Sequence, residues 1–317
     1  MNHVIDGVGM NELGRLALGI IVTLALLLAP AFTALWLVQS RKKAARSRRR
    51  SPLVTALLRS AGQTLRDKME QMRLDAGMDL MLLMVIPTFP LVYFQIHSAV
   101  TGRLTSLWML VAVTVPALAV VAWQVRKLVK SSAEMDKLRL GFDAEVAVGQ
   151  ELDHLMRDGA YVFHDVPAER FNIDHVVVAR AGVFAVETKG YTKPNRAGGV
   201  EDATVVYNGS TLTLPDRSGA WAVDQARRQA QWLSKWLTSA TGAPVLVTPV
   251  LAMPGWYVER KGAGDVLVFS GKELRGHLLK ARAATPLQED QFKRVVHQLD
   301  RQCRNVLPSY QPDPPER

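Results

Sequence analysis

The stretch from Asn172 to Lys189, NIDHVVVARAGVFAVETK, decides the fold of the second half of the chain. Its two apolar and β-branched runs, Asp174–Ala179 and Val183–Thr188, are typical of buried strands. The short Arg180-Ala181-Gly182 segment between them predicts a tight connection. The sequence therefore predicts an antiparallel hairpin in a buried sheet.

Ionisable residues gather at one end of this apolar hairpin. In an antiparallel pair the start of the first strand lies beside the end of the second, so we expect Asp174 and Glu187 to lie together. Lys189 is two residues beyond Glu187 and shares its face, whereas Thr188 lies on the other face. Buried charges are costly unless they are paired or bind a metal, so this convergence predicts a functional site.

The chemistry that fits this set is metal-assisted hydrolysis of a phosphodiester. Asp174, Glu187 and the backbone carbonyl of Thr188 offer the hard oxygen ligands that Mg²⁺ or Mn²⁺ accepts. Lys189 would orient the attacking water and neutralise the developing negative charge. Glu145, in the preceding predicted helix, could add a carboxylate through water. Gln225, in the following helix, could position the nucleophile or a base.

Each candidate also has a structural interpretation. Asp174 could cap the start of its strand, and Glu187 with Lys189 could form a surface ion pair. Glu145 lies in a first helical turn, where a carboxylate also stabilises the helix dipole. His175 faces away from Asp174, so we interpret it as structural.

The remainder of the second half alternates helices and strands. Helices are predicted over Gly141–Asp158 and Trp221–Leu237. The tryptophans of the second helix could stack on bases, but such a helix is more often part of a core. Further strands are predicted at Tyr161–His164, Thr204–Tyr207, Ser210–Leu214, Pro244–Met253 and Asp265–Phe269, and further helices at Lys272–Leu279 and Pro286–Arg304. This order predicts an α/β fold with a mixed central sheet flanked by helices.

Four of these segments, in order, resemble the motifs of the nuclease-related domain, or NERD domain, of the PD-(D/E)XK superfamily. They are Gly141–Glu145, Asn172–His175, Gly182–Lys189 and Asp224–Gln225. The resemblance covers roughly residues 137–280 and implies a restriction-endonuclease-like core with nuclease activity. One departure is Gln229, which stands where some relatives carry an aromatic residue.

The first 130 residues have a different composition. They hold 16 Lys and Arg against 6 Asp and Glu, which accounts for the whole net charge of +10, whereas residues 131–317 are neutral. Three apolar runs, at about 16–38, 78–98 and 104–124, are long enough to cross roughly 30 Å of hydrocarbon as helices. We therefore predict an all-α region of three transmembrane helices. The excess charge lies beside these spans, so it does not indicate a nucleic-acid partner.

The basic run at residues 41–50 contains seven Lys and Arg and sets the predicted orientation. Positive residues beside a span favour the cytoplasmic side, so residues 41–79 and everything after Lys127 lie inside and the amino terminus lies outside. This is the arrangement of an integral protein of a bacterial-type inner membrane. We expect the run to contact anionic lipids, and binding of nucleic acid is the alternative.

Two alternatives to the three spans remain open. The first run could be a cleaved signal peptide, because Ala29-Pro30-Ala31 resembles a cleavage site, but its positive charges follow the apolar core instead of preceding it. The second and third runs could form a buried hairpin of a soluble protein. The single cysteine, Cys303, excludes an intrachain disulfide and a cysteine-rich zinc site.

We thus divide the chain into a membrane region (1–130), a NERD-like domain (131–285) and a C-terminal helix with a Pro-rich tail (286–317). The leading hypothesis is a membrane-anchored, Mg²⁺- or Mn²⁺-dependent nuclease that acts on DNA, or less favourably RNA, at the cytoplasmic face. The rival hypothesis is a non-catalytic scaffold whose nuclease-like domain only binds nucleic acid or a protein. The neutral charge of the second half speaks against a general DNA-binding surface, which is usually basic. The intact Asp174, Glu187 and Lys189 set speaks against the rival, because a scaffold has no need of a costly charged cluster.

Overall fold

The computed structural model describes residues 36–41, 53, 55–103, 105–195, 199, 201–278 and 285–308, with five separate residues between 19 and 34. These residues fall into two units. The first unit holds residues 71–133 and the described residues before 42. The second holds the described residues within 53–70 and 134–308.

The helices and strands are as follows. The α-helices are α1 (Gln63–Val85), α2 (Thr88–Thr101), α3 (Leu107–Asp153), α4 (Trp221–Thr241), α5 (Leu274–Leu278) and α6 (Glu289–Cys303). The strands are β1 (Leu57–Leu58), β2 (Tyr161–Pro167), β3 (Asn172–Ala179), β4 (Gly182–Thr188), β5 (Thr204–Tyr207), β6 (Leu212–Leu214), β7 (Arg217–Gly219), β8 (Val247–Ala252), β9 (Tyr257–Arg260), β10 (Leu267–Phe269) and β11 (Arg304–Val306).

A five-stranded mixed sheet with the order β10-β8-β4-β3-β2 forms the centre of the second unit. Strands β2, β3 and β4 are antiparallel neighbours, whereas β4, β8 and β10 run parallel. The predicted hairpin is β3–β4, in which Ala179 is opposite Gly182 and His175 is opposite Val186. This register brings Asp174 beside Glu187. The prediction of a mixed sheet flanked by helices is confirmed.

Both faces of the hairpin are covered, which explains its continuous apolar sequence. Val176 and Val178 pack in one core with residues of α4 and α6, including Leu233 and Leu299. Val177 and its neighbours on the other face pack in a second core with the end of α3 and with α5. The helices therefore fix the sheet from both sides, and the charged end of the hairpin is held in a rigid frame.

A second, smaller sheet lies beside a third core and has the order β7-β6-β5-β9. The Asn208-Gly209 pair predicts a hairpin between β5 and β6, and these strands are antiparallel. The loop has four residues because Tyr207 is opposite Leu212. The Asn208 side chain accepts hydrogen bonds from the N–H groups of Ser210 and Thr211, which stabilises the turn.

Residues 53–70 belong to the second unit, although the sequence analysis placed them in the cytoplasmic segment of the membrane region. Strand β1 pairs antiparallel with β11 near the end of the chain. Arg59 forms an ion pair with Asp165, which is only 3% exposed. Both contacts join residues far apart in the sequence, so no local pattern announces them.

The first unit contains apolar helical stretches with many exposed large side chains, such as Met84, Leu91 and Trp108. Two stretches, Gln63–Ser98 and Leu107–Asp158, are long and apolar enough to cross a membrane. They include the predicted span 78–98 and residues 107–124 of the predicted span 104–124. Two such helices indicate a membrane association only weakly.

The turn predicted between these spans contains Gly102, which adopts a left-handed conformation with φ 63° and ends α2. Nearer the other end of the helices, Lys127 Nζ donates to Asp79 Oδ1 at 2.7 Å. The first predicted span and the basic run at 41–50 lie largely outside the described residues, as does the Pro-rich tail after residue 308. Three spans and their orientation therefore stay predictions.

Candidate active site

Glu187 is the centre of the candidate site and is 2% exposed. Its Oε1 atom accepts hydrogen bonds from Lys189 Nζ at 2.5 Å and from Gln225 Nε2 at 2.7 Å. Its Oε2 atom accepts a hydrogen bond from Gln229 Nε2 at 2.5 Å. Both oxygens of this buried carboxylate therefore accept hydrogen bonds, from Lys189 just after β4 and from two glutamines of α4.

Lys189 follows the end of β4 and joins three parts of the site. Its ammonium contacts Glu187 and also donates to Gln225 Oε1 at 3.0 Å. The same ammonium lies 4.3 Å from the ring centroid of Trp221, the first residue of α4. The Lys189 side chain is 13% exposed, whereas Trp221 is 62% exposed. Trp221 is thus an outer wall of the site and not a core residue.

Asp174 lies beside Glu187 at the start of the hairpin, as the register requires. Its Oδ2 atom accepts a hydrogen bond from the Thr188 N–H at 2.6 Å. Burial raises the pKa of Asp174 well above its usual range, and the carboxylates of Glu187 and Glu145 add to the shift. Burial also raises the pKa of Glu187, although the Lys189 ammonium opposes that shift.

Glu145 approaches the same cluster from α3. The N–H of Gly62, just before α1, donates a hydrogen bond to its carboxylate. Burial raises the pKa of Glu145 to about 8, and the nearby charges of Asp165 and Glu187 contribute to the shift. Three carboxylates therefore share one region with the single ammonium of Lys189, which leaves an excess of negative charge when all are ionised.

The structure thus brings together all the residues that the sequence analysis selected: Asp174, Glu187, Thr188, Lys189, Glu145 and Gln225. It also adds Gln229, which the sequence analysis noted only as a departure from relatives. Gln229 is four residues after Gln225 and so lies on the same face of α4. That spacing was the available signal for a second amide directed at the site.

The site contains oxygen atoms of the kind that bind a hard divalent cation. Carboxylate oxygens of Asp174, Glu187 and Glu145 are chemically suitable for Mg²⁺ or Mn²⁺. In the described part of the chain, however, no three His, Cys, Asp or Glu side chains are grouped so that they could hold a metal ion. Two buried oxygens nearby, Thr188 Oγ1 and Gln229 Oε1, have no hydrogen-bond partner among the described residues. The chemistry fits a cation, but its ligands are not pre-arranged.

Two histidines in contact come from the adjacent strands β2 and β3. Nδ1 of His164 is 2.9 Å from Nδ1 of the fully buried His175, and Nε2 of His164 is 3.0 Å from Asp153 Oδ1. Burial lowers the pKa of His175 well below its usual range, and His164 lowers it further. His175 is therefore neutral and packed, in agreement with its structural interpretation.

With this geometry established, the chain was compared with known proteins. A nuclease-related domain, NERD, is found at residues 140–254. The match contains every candidate residue named above and covers somewhat more than a third of the chain. No curated protein matches the chain, and no solved structure matches it.

Proposed function

We propose that the chain is a membrane-anchored nuclease that hydrolyses phosphodiester bonds of DNA with a divalent cation, Mg²⁺ or Mn²⁺. The observation that carries this proposal is the buried Glu187–Lys189–Gln225 set beside Asp174, within a NERD domain. A nuclease-related domain suggests that nucleic acid binds. DNA is the substrate that the resemblance implies, with RNA as the less favoured one.

In this proposal the cation is held by Asp174, Glu187 and the Thr188 carbonyl, with Glu145 acting through water. A cation there supplies a Lewis acid for a phosphoryl oxygen and acidifies a bound water. Glu187 accepts two hydrogen bonds on Oε1 and one on Oε2, so Oε2 keeps a lone pair that can face a cation. The excess of carboxylates is what favours a cation at this place.

The protein side chains then have separate tasks in the hydrolysis. The oxygen of a water molecule forms a bond to phosphorus as the bond to the leaving sugar oxygen breaks. The Lys189 ammonium would stabilise the charge that develops on the phosphoryl oxygens, because it is held at 13% exposure and is little screened. Gln225 contacts both Lys189 and Glu187 and would keep their orientation.

The second part of the proposal is the membrane anchor. The predicted span 78–98 and residues 107–124 of the predicted span 104–124 lie in the two long apolar helices. Asp79 and Lys127, which form an ion pair, lie at the ends of these spans that the basic residues assign to the cytoplasm. Reporter fusions at residue 100 and at the carboxyl terminus should report outside and inside, respectively. A result with both reporters on one side would contradict this topology.

A non-catalytic scaffold is the second candidate function, and one observation favours it. Glu187 accepts three hydrogen bonds without a cation, so the cluster could serve only to join β4 to α4. A scaffold of this kind would bind nucleic acid or a protein without cleaving it. The two candidates differ in the expected effect of removing the Lys189 charge.

The deciding experiment is metal-dependent cleavage of plasmid and single-stranded DNA by the purified chain and by Lys189→Met. Methionine keeps much of the side-chain volume and removes the charge. We expect a fall in rate on the order of 10²–10³, by analogy with the loss of one oxyanion-stabilising donor. Lys235→Met, at an exposed position of α4, is the matched control and should cleave like the wild type. No cleavage by the wild type, or equal cleavage by Lys189→Met, would favour the scaffold.

A further inference from the structure

A pocket of about 370 Å³ opens in the second unit and is not part of the candidate active site. One wall comes from α3, with Ala147 and Glu151. Trp256 and Tyr257, just before and at the start of β9, also line the pocket. Its volume lies at the lower end of the range of small-molecule sites in proteins, which suits a ligand of the size of one nucleotide.

The groups that line the pocket combine positive charge with aromatic surface. Lys193 and Lys272 both line it, and both are exposed. Within the described residues, neither lysine has a carboxylate at ion-pair distance. The Lys193 ammonium lies 5.7 Å from the ring centroid of Trp256, and Tyr257 beside it is 64% exposed. One carboxylate, that of Glu151, also lines the pocket, so the lysines leave a net positive charge.

The pocket neighbours the candidate active site along the chain and across the sheet. The Lys189 N–H donates to the carbonyl of Ala252 at 2.9 Å, so the ends of β4 and β8 lie side by side. The chain continues from these ends to Lys193 and to Pro254, respectively, and both residues line the pocket. The pocket is therefore only a few residues from Lys189 along the chain, so a polynucleotide bound at Lys189 could continue into it.

We infer that this pocket holds one unstacked nucleotide of a single-stranded polynucleotide, on the path that leads to the site described above. The two ammonium groups take the phosphate, and the exposed face of Tyr257 stacks on the base. Glu151 can accept a hydrogen bond from a base amino group. A paired base cannot enter a recess of this kind without leaving its stack, which is why the inference specifies a single strand. It extends the proposed nuclease function by naming the form of its substrate.

The test measures binding by the full-length chain in detergent, by fluorescence anisotropy with a labelled single-stranded DNA of about 12 nucleotides. EDTA is present so that no metal-dependent hydrolysis occurs. We expect Tyr257→Ala to weaken binding about tenfold, because one base loses its aromatic platform. Tyr257→Phe keeps the ring and should bind within about twofold of the wild type.

The lysines are tested through the salt dependence of the same binding. Each phosphate contact to a single strand contributes about 0.7 to the slope of log K against log salt. Because both ammonium groups take the same phosphate, the Lys193→Ala/Lys272→Ala double variant should lose about 0.7 of that slope. Lys261→Ala is the matched control, because Lys261 is exposed on the chain just after β9 and does not line the pocket. Its slope should equal that of the wild type.

Two results would overturn the inference directly: no measurable binding of the single strand, or unchanged binding by Tyr257→Ala and the double variant. A third is a competition result, in which thymidine monophosphate displaces the strand equally well from the wild type and from Tyr257→Ala. Hydrolysis is measured separately with Mn²⁺. If the wild type binds through Tyr257 but never cleaves, the pocket stands and the proposed hydrolysis fails. If the wild type cleaves while the pocket variants bind normally, only the pocket inference fails.

Discussion

The carboxylates of Asp165 and Glu187 are both buried in the second unit, but their hydrogen-bond donors and neighbouring charges differ. Asp165 is 3% exposed and receives hydrogen bonds from Arg59, Thr64 and Asn172. Its charge is matched by the Arg59 guanidinium. Glu187 is 2% exposed and receives one ammonium and two amides, but it also lies near two further carboxylates.

The difference separates a structural cluster from a candidate functional one. The Asp165 cluster joins residues 53–70 to the sheet, and the Thr64 N–H that it binds is in the first turn of α1. The Asp165 charge has the Arg59 guanidinium as its partner, although it also lies near Glu145 and helps to raise the pKa of that residue. The Glu187 cluster keeps more carboxylates than its single ammonium can balance, and burial raises their pKa values. Such an imbalance costs stability, and a bound cation and substrate would offset that cost.

The largest expected effect belongs to Glu187→Gln. The substitution keeps the shape and removes the charge that would hold the cation, so we expect DNA cleavage to fall by about 10³ or more. Wild-type protein should gain thermal stability with Mn²⁺, about 2.7 kcal/mol at 100 times the dissociation constant, and the variant should lose this gain. Differential scanning fluorimetry with and without Mn²⁺ measures it. A gain that survives in the variant would place the cation elsewhere.

The opposite result is expected for Asp165→Asn, which should damage the fold and spare the chemistry. Asp165 has φ 49°, a conformation that Asn also tolerates, so the backbone is not strained by the change. Removing one partner of this buried pair leaves the Arg59 charge unbalanced, at a cost of about 3–5 kcal/mol. The thermal midpoint should fall by roughly 10 °C, while cleavage by the folded fraction persists.

Asp300→Asn is the matched control for this stability measurement. Asp300, on α6, forms an exposed ion pair with Arg304, which lies four residues later at the start of β11. Exposed pairs of this kind contribute roughly 0.3–0.5 kcal/mol, so its midpoint should shift by about 1–2 °C. Equal losses from Asp165→Asn and Asp300→Asn would remove the distinction between the two clusters.

The sequence predicted the grouping of Asp174, Glu187 and Lys189 because that grouping depends on one local hairpin. The two continuous apolar runs and the antiparallel register together place Asp174 beside Glu187. Lys189 follows from the two-residue strand repeat. Gln229 was overlooked because its bond to Glu187 depends on how closely α4 approaches the sheet, and helix periodicity alone does not give that distance.

Asp165 shows why the other cluster could not be predicted. The sequence predicts a strand that ends at His164 and indicates no role for Asp165. In the structure Asp165 lies within β2 and binds Arg59, 106 residues earlier in the chain. Contacts across such separations leave no periodic signal. The membership of residues 53–70 in the second unit was missed for the same reason.

The next expected effect is a pH dependence that comes from Glu145. Its pKa is about 8 in the folded chain against about 4.5 when unfolded, so the folded state holds a proton that the unfolded state loses. The stability contributed by this proton is present below about pH 4.5 and is lost as the pH rises through 8. Glu145→Gln keeps an acceptor for the Gly62 N–H and should therefore be more stable than the wild type at pH 9, by at most roughly 5 kcal/mol.

The measurement is the thermal midpoint of both proteins from pH 5 to pH 9 in EDTA. The difference between them should grow with pH across this range and level off above it. A constant difference at all pH values would show that Glu145 is not protonated in the folded chain. Glu151→Gln, one and a half turns later on α3, is the control, and its difference from the wild type should not follow this profile.

The smallest expected effect concerns Trp221, whose ring lies beneath the Lys189 ammonium at 4.3 Å. A cation–π contact at an exposed site contributes about 0.5–1 kcal/mol, so Trp221→Leu should slow cleavage by about two- to fivefold. Trp221→Phe keeps an aromatic face and should fall between the wild type and the leucine variant. Because Lys189 also contacts Glu187 and Gln225, the ammonium stays in the site when the ring is lost.

A loss as deep as that of Lys189→Met would instead mean that Trp221 itself contacts the substrate, as a stacking platform at 62% exposure. Steady-state kinetics on single-stranded and duplex DNA separates the two explanations, because loss of stacking would raise KM for the single strand alone, whereas a misplaced ammonium lowers kcat on both.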